Sequence, residues 1–89
     1  MTQVAFSSSF KRVFKKRIEG RKDLEQKFWR RMEIFTANPH DPRLRTHKLS
    51  GALRAQWSFT VEYDVRVVFS FLPNHRAVFE DIGSHDEVY

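Results

Sequence analysis

Residues 57–71 alternate between apolar and polar side chains, and this alternation constrains the fold more than any other feature of the chain. A period of two is typical of a strand that buries one face, and aromatic and β-branched residues favour such a pleated surface. The pattern changes over at Tyr63 and Asp64, which predicts two strands joined by a tight hairpin. The predicted buried side consists of Trp57, Phe59, Val61 and Tyr63, followed by Val65, Val67, Phe69 and Phe71.

Arg66 is a charged residue inside the second of these strands, in an otherwise apolar run. Because successive side chains of a strand point to opposite faces, Arg66 is predicted to lie on the face away from Val65 and Val67. A guanidinium on a rigid strand is a positioned cation, which suits the binding of an anion. The plain alternative is an ion pair with one of three nearby carboxylates: Glu62, Asp64 or Asp81.

The other segments predict two helices before this strand pair and one strand after it, with a loop rich in basic residues at 40–54. Apolar residues recur with helical spacing over residues 10–18 and 24–35, and Gly20 separates the two helices. Residues 4–6 predict a brief first strand, and residues 77–82 predict a last one.

The predicted order of elements is therefore β-α-α-β-β-β. Helices followed by a meander indicate an α+β fold, in which a helical hairpin packs on one face of a small antiparallel sheet. The length favours a single domain over residues 1–89. The last strand is too short for its alternation to decide whether Glu80 or Asp81 faces away from the core.

The balance of charge favours a polyanionic partner. The chain carries 16 Lys and Arg residues against 11 Asp and Glu residues, a net charge of +5. RNA, DNA and acidic proteins are the partners that a small basic domain suits, although a basic face also serves solubility alone.

Several kinds of site are excluded or not expected. The absence of cysteine excludes disulfides and thiolate chemistry. The sequence has no His-Glu-x-x-His motif, no P-loop and no glycine-rich dinucleotide turn, so we expect no metal or cofactor. No apolar run approaches the ~20 residues of a membrane span, and residues 1–6 lack the features of a signal peptide. We therefore expect a soluble, cytoplasmic protein without a membrane partner.

Residues suited to proton transfer and phosphate binding flank the predicted strands. Histidine exchanges protons near neutral pH, arginine binds phosphate, and tyrosine stacks on bases. Each also has a plain reading, as a solvated side chain, a turn residue or a frayed C-terminal ring. The candidate catalytic residues are His47, Asp64, Arg66, His85 and Tyr89, and the candidate RNA-binding residues are Arg43, Arg45, Lys48 and Arg54.

This set suits RNA cleavage by attack of the 2′-hydroxyl. One group removes the 2′ proton, a cation holds the phosphate as negative charge develops, and a further group protonates the leaving 5′ oxygen. That reaction requires no metal ion. The hypothesis is that the candidate residues converge on one cleft.

Local motifs give the chain a resemblance to a known family. In these motifs and in its order of elements, the chain resembles the RelE/ParE superfamily of bacterial toxin–antitoxin modules over nearly its full length, and within it the YafQ- and YoeB-like mRNA interferases. The motifs are His47-Lys48-Leu49-Ser50-Gly51, Trp57, Val65-Arg66-Val67-Val68-Phe69, Phe79-Glu80-Asp81-Ile82-Gly83-Ser84-His85 and the terminal Tyr89.

The resemblance implies a RelE-like microbial RNase fold and a type II toxin that cleaves mRNA in the ribosomal A site. It implies contacts with mRNA and with 16S rRNA, an acidic antitoxin that holds the toxin inactive, and binding of the pair to operator DNA through that antitoxin. It places His47, Arg66 and His85 in the active site, with Asp64 and Tyr89 beside them. The first choice for His85 is general acid, with general base as the alternative, and His47 is the complementary proton-transfer group.

The chain departs from the YafQ-like pattern at three positions. Thr60 and Ser58 stand where those relatives carry a histidine and an aspartate, and Asp81 stands where they carry an arginine. The general base therefore has no assignment from the sequence. Two alternatives stay open: a ParE-like inhibitor of DNA gyrase without RNase activity, and a non-catalytic RNA-binding module.

Overall fold

The computed structural model of this protein describes residues 1–51 and 55–89. Five strands and three α-helices make up the described chain, and a 3-10 turn at Pro42–Leu44 precedes the second strand. In chain order the elements are β1 (Gln3–Phe6), α1 (Ser8–Arg17), α2 (Lys22–Ala37), β2 (His47–Lys48), β3 (Trp57–Glu62), β4 (Val65–Leu72), β5 (Arg76–Gly83) and α3 (His85–Val88).

The strands form one sheet in the order β1-β5-β4-β3-β2. The pairs β2–β3, β3–β4 and β4–β5 are antiparallel, whereas β1 runs parallel to β5. A parallel pair needs a long connection between its strands, and the intervening helices and meander supply it. The predicted α+β fold is thus confirmed, with one parallel pair at the edge of the sheet.

Buried phenylalanine rings join the helices to the sheet. Phe35 on α2 is fully buried, and its ring lies 4.9 Å from that of Phe69 and 5.2 Å from that of Phe79, in edge-to-face geometry. The ring of Phe59 lies 5.1 Å away. Edge-to-face contacts of this kind stabilise aromatic cores beyond the area they bury. This cluster fixes the helical hairpin on one face of the sheet.

The hairpin predicted at Tyr63 and Asp64 is confirmed, but the predicted burial of Tyr63 was wrong. β3 ends at Glu62, and Tyr63 is 95% exposed in the turn. Once the chain leaves the strand, the alternation of faces no longer applies. The ring therefore stands at the tip of the hairpin.

A bulge in β5 decides the position of the two carboxylates that follow Phe79. The register between β4 and β5 shifts at this point and leaves Glu80 without a directly opposite residue. Glu80 accepts a hydrogen bond from Ser70 Oγ at 2.7 Å, and Asp81 accepts one from Arg17 Nη1 at 3.1 Å. Both carboxylates lie outside the core, because the extra residue interrupts the period of two.

Two short elements were not predicted. β2 has two residues, which is too few to show an alternation, and it lies in the segment that the sequence indicated as a loop. α3 has four residues and begins with a capping box, in which Ser84 and Glu87 satisfy each other's backbone amides. That motif is visible in the sequence. No helix within the described ranges is long and apolar enough to cross a membrane.

We expect Phe35→Ala to lower the free energy of unfolding by about 3–5 kcal/mol, because it opens a cavity among three strand rings. Urea unfolding followed by circular dichroism measures this change. Tyr63→Ala is the matched control, since an exposed ring contributes within about 0.5 kcal/mol. Equal losses for the two variants would contradict the role of the Phe35 contact.

Candidate functional site

A cleft of about 600 Å³ opens beside the tip of the β3–β4 hairpin. The hairpin forms one side of it, and the 3-10 turn and α2 contribute the remaining residues. Four arginines and one glutamate give the cleft an excess of positive charge, which suits a phosphate group. Its lining residues are Arg31, Pro42, Arg43, Arg45, Thr60, Glu62, Tyr63 and Arg66.

Arg66 enters the cleft from the middle of the sheet. In the strand register it lies opposite Thr60 on β3 and opposite Gly83 on β5. Its neighbours Val65 and Val67 are buried in the core, so Arg66 faces away from the core as the alternation predicted. Pairing on both sides of β4 holds its backbone rigid.

The carboxylates that were alternative partners of Arg66 are mostly engaged elsewhere. Glu62 accepts a hydrogen bond from Lys27 Nζ at 2.9 Å, and Asp81 pairs with Arg17. Among the described residues, Arg66 forms no ion pair. Its guanidinium is therefore available to an anion that enters the cleft.

Asp41 orients Arg43 at the rim of the cleft. The Asp41 carboxylate accepts hydrogen bonds from Arg43 Nε at 3.0 Å, from Nη2 at 2.9 Å and from the Arg43 backbone amide at 2.9 Å. The side-chain hydrogen bonds of Arg43, and then its backbone amide, lower the pKa of Asp41 to about 2. The same pairing raises the pKa of Arg43. The guanidinium is thus fixed in direction although it is largely exposed.

Arg31 lies on α2 and was not among the candidate residues of the sequence. It donates to the carbonyl of Arg43 at 2.9 Å from Nη1 and to that of Val61 at 3.3 Å from Nε. One side chain thus ties α2 to β3 and to the 3-10 turn. No local pattern marks this role, because its partners lie 12 and 30 residues away in the sequence.

Arg45 and His47 follow the 3-10 turn. Arg45 has a left-handed backbone conformation, with φ of 53°, and its carbonyl lies 3.0 Å from His47 Nδ1. His47 pairs with Ser58 across β2 and β3, on an exposed edge of the sheet. Lys48 pairs with Trp57, so its side chain leaves from the other face.

His85 is the first residue of α3, and Tyr89 directly follows its last residue. Their rings are 4.6 Å apart and nearly perpendicular, and His85 Nδ1 lies 3.6 Å from an Asp86 carboxylate oxygen. Both side chains are exposed to solvent. Gly83 lies directly opposite Arg66 in the sheet, and α3 begins two residues later at His85. His85 therefore follows closely on the strand neighbour of Arg66.

The structure brings part of the predicted set into the cleft. Arg43, Arg45 and Arg66 line it, whereas His47, His85, Tyr89, Asp64 and Lys48 are not among its described lining residues. Asp64 is exposed at the hairpin tip, directly after Tyr63. Arg54 lies outside the described residues.

Ser58 and Thr60, the two positions on β3 where the chain differs from the YafQ-like pattern, lie in different surroundings. Thr60 lines the cleft opposite Arg66. Ser58 is fully buried, and its Oγ has no hydrogen-bond partner among the described residues. Its position therefore gives a substrate no access.

The described parts of the chain contain no group of three histidine, aspartate or glutamate side chains arranged to hold a metal ion.

Comparison with known proteins identifies the fold. No family model and no curated protein matches this sequence. YafQ from E. coli strain BL21(DE3) matches in structure with a TM-score of 0.73 and 18% identity, over 100% of this chain and 99% of that one. A metal-bound toxin from Helicobacter pylori matches with a TM-score of 0.75 and 21% identity, over 100% of both chains. This chain has the fold of these toxins.

A third match extends the comparison to a complex. YoeB in the YoeB–YefM complex from Staphylococcus aureus aligns with a TM-score of 0.74 and 15% identity, over 96% of this chain and 98% of that one. The predicted RelE-like fold is thus confirmed.

We expect Asp41 to stay ionised in the folded protein until the pH falls to about 2. Because its pKa is lowered by folding, the stabilisation it contributes is present above its ordinary value of 3.8 and is lost as the pH falls through about 2. Carbon-13 NMR of the Asp41 carboxyl group measures this midpoint.

Two arginine variants test whether the hydrogen bonds of Arg43 lower the pKa of Asp41. Arg43→Ala should move the Asp41 midpoint up towards 3.8, because it removes the side-chain hydrogen bonds. Arg45→Ala removes an equal charge from the same cleft without a bond to Asp41, and should leave the midpoint in place. A wild-type midpoint near 3.8 would contradict the Asp41–Arg43 pairing.

Proposed function

We propose that this protein is the toxin of a type II toxin–antitoxin pair and acts as an endoribonuclease on mRNA in the ribosomal A site. The observation that carries the proposal is the convergence of four arginines on one cleft of a toxin-like fold. A phosphodiester backbone is the anion that such a cleft suits, because planar guanidinium groups bind phosphate in two-point contacts. Ribosome-bound mRNA places the activity in the cytoplasm.

Arg66 is the group that stabilises the transition state. It is held on the central strand with buried neighbours, so little reorganisation is needed when charge develops on the phosphate. Arg43 and Arg31 are oriented by Asp41 and by two backbone carbonyls, and they hold the flanking phosphates. Arg45 completes this phosphate-binding set, with Lys48 and Arg54 on the neighbouring segment as contacts to RNA.

Proton transfer falls to the histidines. The 2′ oxygen attacks phosphorus, and the bond from phosphorus to the 5′ oxygen breaks, which leaves a 2′,3′-cyclic phosphate and a 5′-hydroxyl. His85 donates the proton to the leaving 5′ oxygen, and His47 takes the proton of the 2′-hydroxyl. Tyr89 packs against His85 and orients the substrate, and Asp64 binds RNA at the hairpin tip.

The two histidines reach the cleft when the ribosome and mRNA fill it. His47 is tethered beside Arg45 through a carbonyl contact, and His85 follows the strand partner of Arg66. Catalytic contacts are often long in the free enzyme and tighten only in the substrate complex. This ordering fits an RNase that depends on the ribosome.

We expect induced expression of the wild type to stop growth and to cut a reporter mRNA at codon-defined positions, as read by primer extension. His85→Ala should reduce cleavage by about 10²–10⁴-fold, because a positioned general acid is worth that much. Arg66→Ala should lower cleavage by about 10²–10³-fold through loss of charge stabilisation.

The matched control is His75→Asn in the turn before β5, at the opposite end of β4 from the hairpin that lines the cleft. His75 has a φ of 55°, which asparagine tolerates, so the fold is preserved. Growth arrest with gyrase-linked DNA breaks and no RNA cleavage would replace the proposal with gyrase inhibition. RNA binding without toxicity would replace it with a non-catalytic RNA-binding role.

An apolar groove on the helical hairpin supports the second part of the proposal, an acidic antitoxin. The groove has a volume of about 270 Å³, and Trp29 at its edge is 50% exposed. An exposed tryptophan beside lysines suits a protein segment with apolar anchors and acidic flanks. The lining residues are Phe6, Phe10, Lys11, Phe14, Lys15, Glu19, Phe28 and Trp29.

We expect Trp29 fluorescence to report this binding. The chain has two tryptophans, so Trp57→Phe leaves Trp29 as the only one. A synthetic amphipathic helix with leucines on one face and glutamates on the other should shift its emission to the blue in a saturable way. The affinity should fall with added salt, because exposed charges are screened.

Charge reversal tests the specificity of the groove. Lys15→Glu should weaken binding of the acidic peptide about tenfold. Lys22→Glu makes the same charge change outside the groove and is the matched control. Equal binding of a peptide whose glutamates are replaced by lysines would contradict the assignment.

A further inference from the structure

The C-terminal helix α3 begins with His85 and is followed directly by Tyr89, but it has no buried residue of its own. Hydrophobic packing therefore contributes little to its position, and a four-residue helix is unstable by itself in water. Polar contacts have to hold it against the sheet. The capping box stabilises the start of the helix itself, and an arginine from the far end of α1 joins the helix to the sheet.

That arginine is Arg17, the last residue of α1. Its Nη1 donates to the Ile82 carbonyl at 2.9 Å and to an Asp81 carboxylate oxygen at 3.1 Å. Its Nε lies 3.5 Å from a Glu87 carboxylate oxygen. The side chain is about three-quarters buried, with 24% of its surface exposed. Arg17 thus contacts the end of β5 and the body of α3 at the same time.

Glu87 links this arginine to the start of α3. Its Oε1 accepts the Ser84 amide at 2.7 Å as part of the capping box, and its Oε2 faces Arg17. The Ser84 amide, and more weakly Arg17, lower the pKa of Glu87. A Cβ at Gly83 would lie 2.7 Å from Glu87 Oε1 and 2.9 Å from Arg17 Nη1. A glycine at this position therefore lets the carboxylate and the guanidinium meet.

We propose that Arg17 is a positioning residue that holds α3, and with it His85 and Tyr89, at the end of the strand next to Arg66. The effect of Arg17 on catalysis rests on the proposed RNase function, whereas its role in holding α3 does not. Arg17 lies on α1, outside the cleft, and acts through Glu87 and the β5 end. Without it, α3 keeps only its capping box and frays.

Amide hydrogen exchange tests the link directly. In Arg17→Ala, the hydrogen-bonded amides of residues 87–89 should exchange at least about tenfold faster, while those of β4 stay protected. The contact between the His85 and Tyr89 rings should weaken in NOE spectra. Arg12→Ala removes the same charge from an exposed site on the same helix and should change neither readout. Unchanged exchange in Arg17→Ala would overturn the proposal.

Glu87→Gln is the second variant, in case Arg17→Ala folds poorly. The amide oxygen still accepts the Ser84 amide, but the attraction to Arg17 is lost, so exchange should accelerate in the same residues by a smaller factor. Protection equal to the wild type in this variant would contradict the link through Glu87.

Kinetics on programmed ribosomes connect the link to catalysis. Arg17→Ala should lower kcat by about 10- to 100-fold, as expected for a misplaced catalytic group. KM should stay within about twofold, because the phosphate-binding arginines are untouched. Arg17→Lys should recover part of kcat through its retained charge. If the wild type does not cleave mRNA, the RNase function is refuted, and amide exchange alone decides whether Arg17 holds α3. If Arg17→Ala exchanges faster but keeps its full kcat, Arg17 does not position His85 for catalysis.

Discussion

The contact of Phe35 with the rings of the central strands holds the two layers of the molecule together. Phe59, Phe69 and Phe79 come from three neighbouring strands, and all four rings are fully buried. Burial of apolar area stabilises by about 25 cal/mol per Å², so a cluster of this size dominates the folding of a short chain. It also assigns the two faces of β4. With Phe69 turned towards α2, Arg66 has to face the opposite side, and the cleft forms there.

The cleft brings four positively charged arginine side chains close together. Arg31 is held by two backbone carbonyls, and Arg43 is held by Asp41, so two of the guanidiniums have hydrogen bonds that fix their direction. The backbone of Arg66 is fixed by strand pairing. Mutual repulsion of these groups disfavours the empty cleft and is relieved when an anion enters, since attraction to a phosphate acts on all of them together. The guanidinium groups are thus held in fixed positions where a phosphodiester would bind.

Some parts of the site could be predicted from the sequence, and others could not. Arg66 could be placed because a strand has a strict alternation, and Arg43 and Arg45 because the loop before the sheet is rich in basic residues. Arg31 and Arg17 could not, because each acts on partners at least 12 residues away that only packing brings near. The serine that opens α3 and the glutamate three residues later form a recognisable capping box, so this helix was predictable in principle.

The sequence by itself determined the class of fold, the hairpin at Tyr63 and Asp64, and the face on which Arg66 lies, because these depend on local periodicity and on the burial of large apolar side chains. Only the tertiary structure decided that β1 pairs in parallel with β5, that a bulge turns both Glu80 and Asp81 out of the core, and that helix arginines reach the cleft and the C-terminal helix. The physical reason is that hydrogen bonds and ion pairs between distant residues depend on the final packing of the layers. Local patterns in the sequence do not predict that packing.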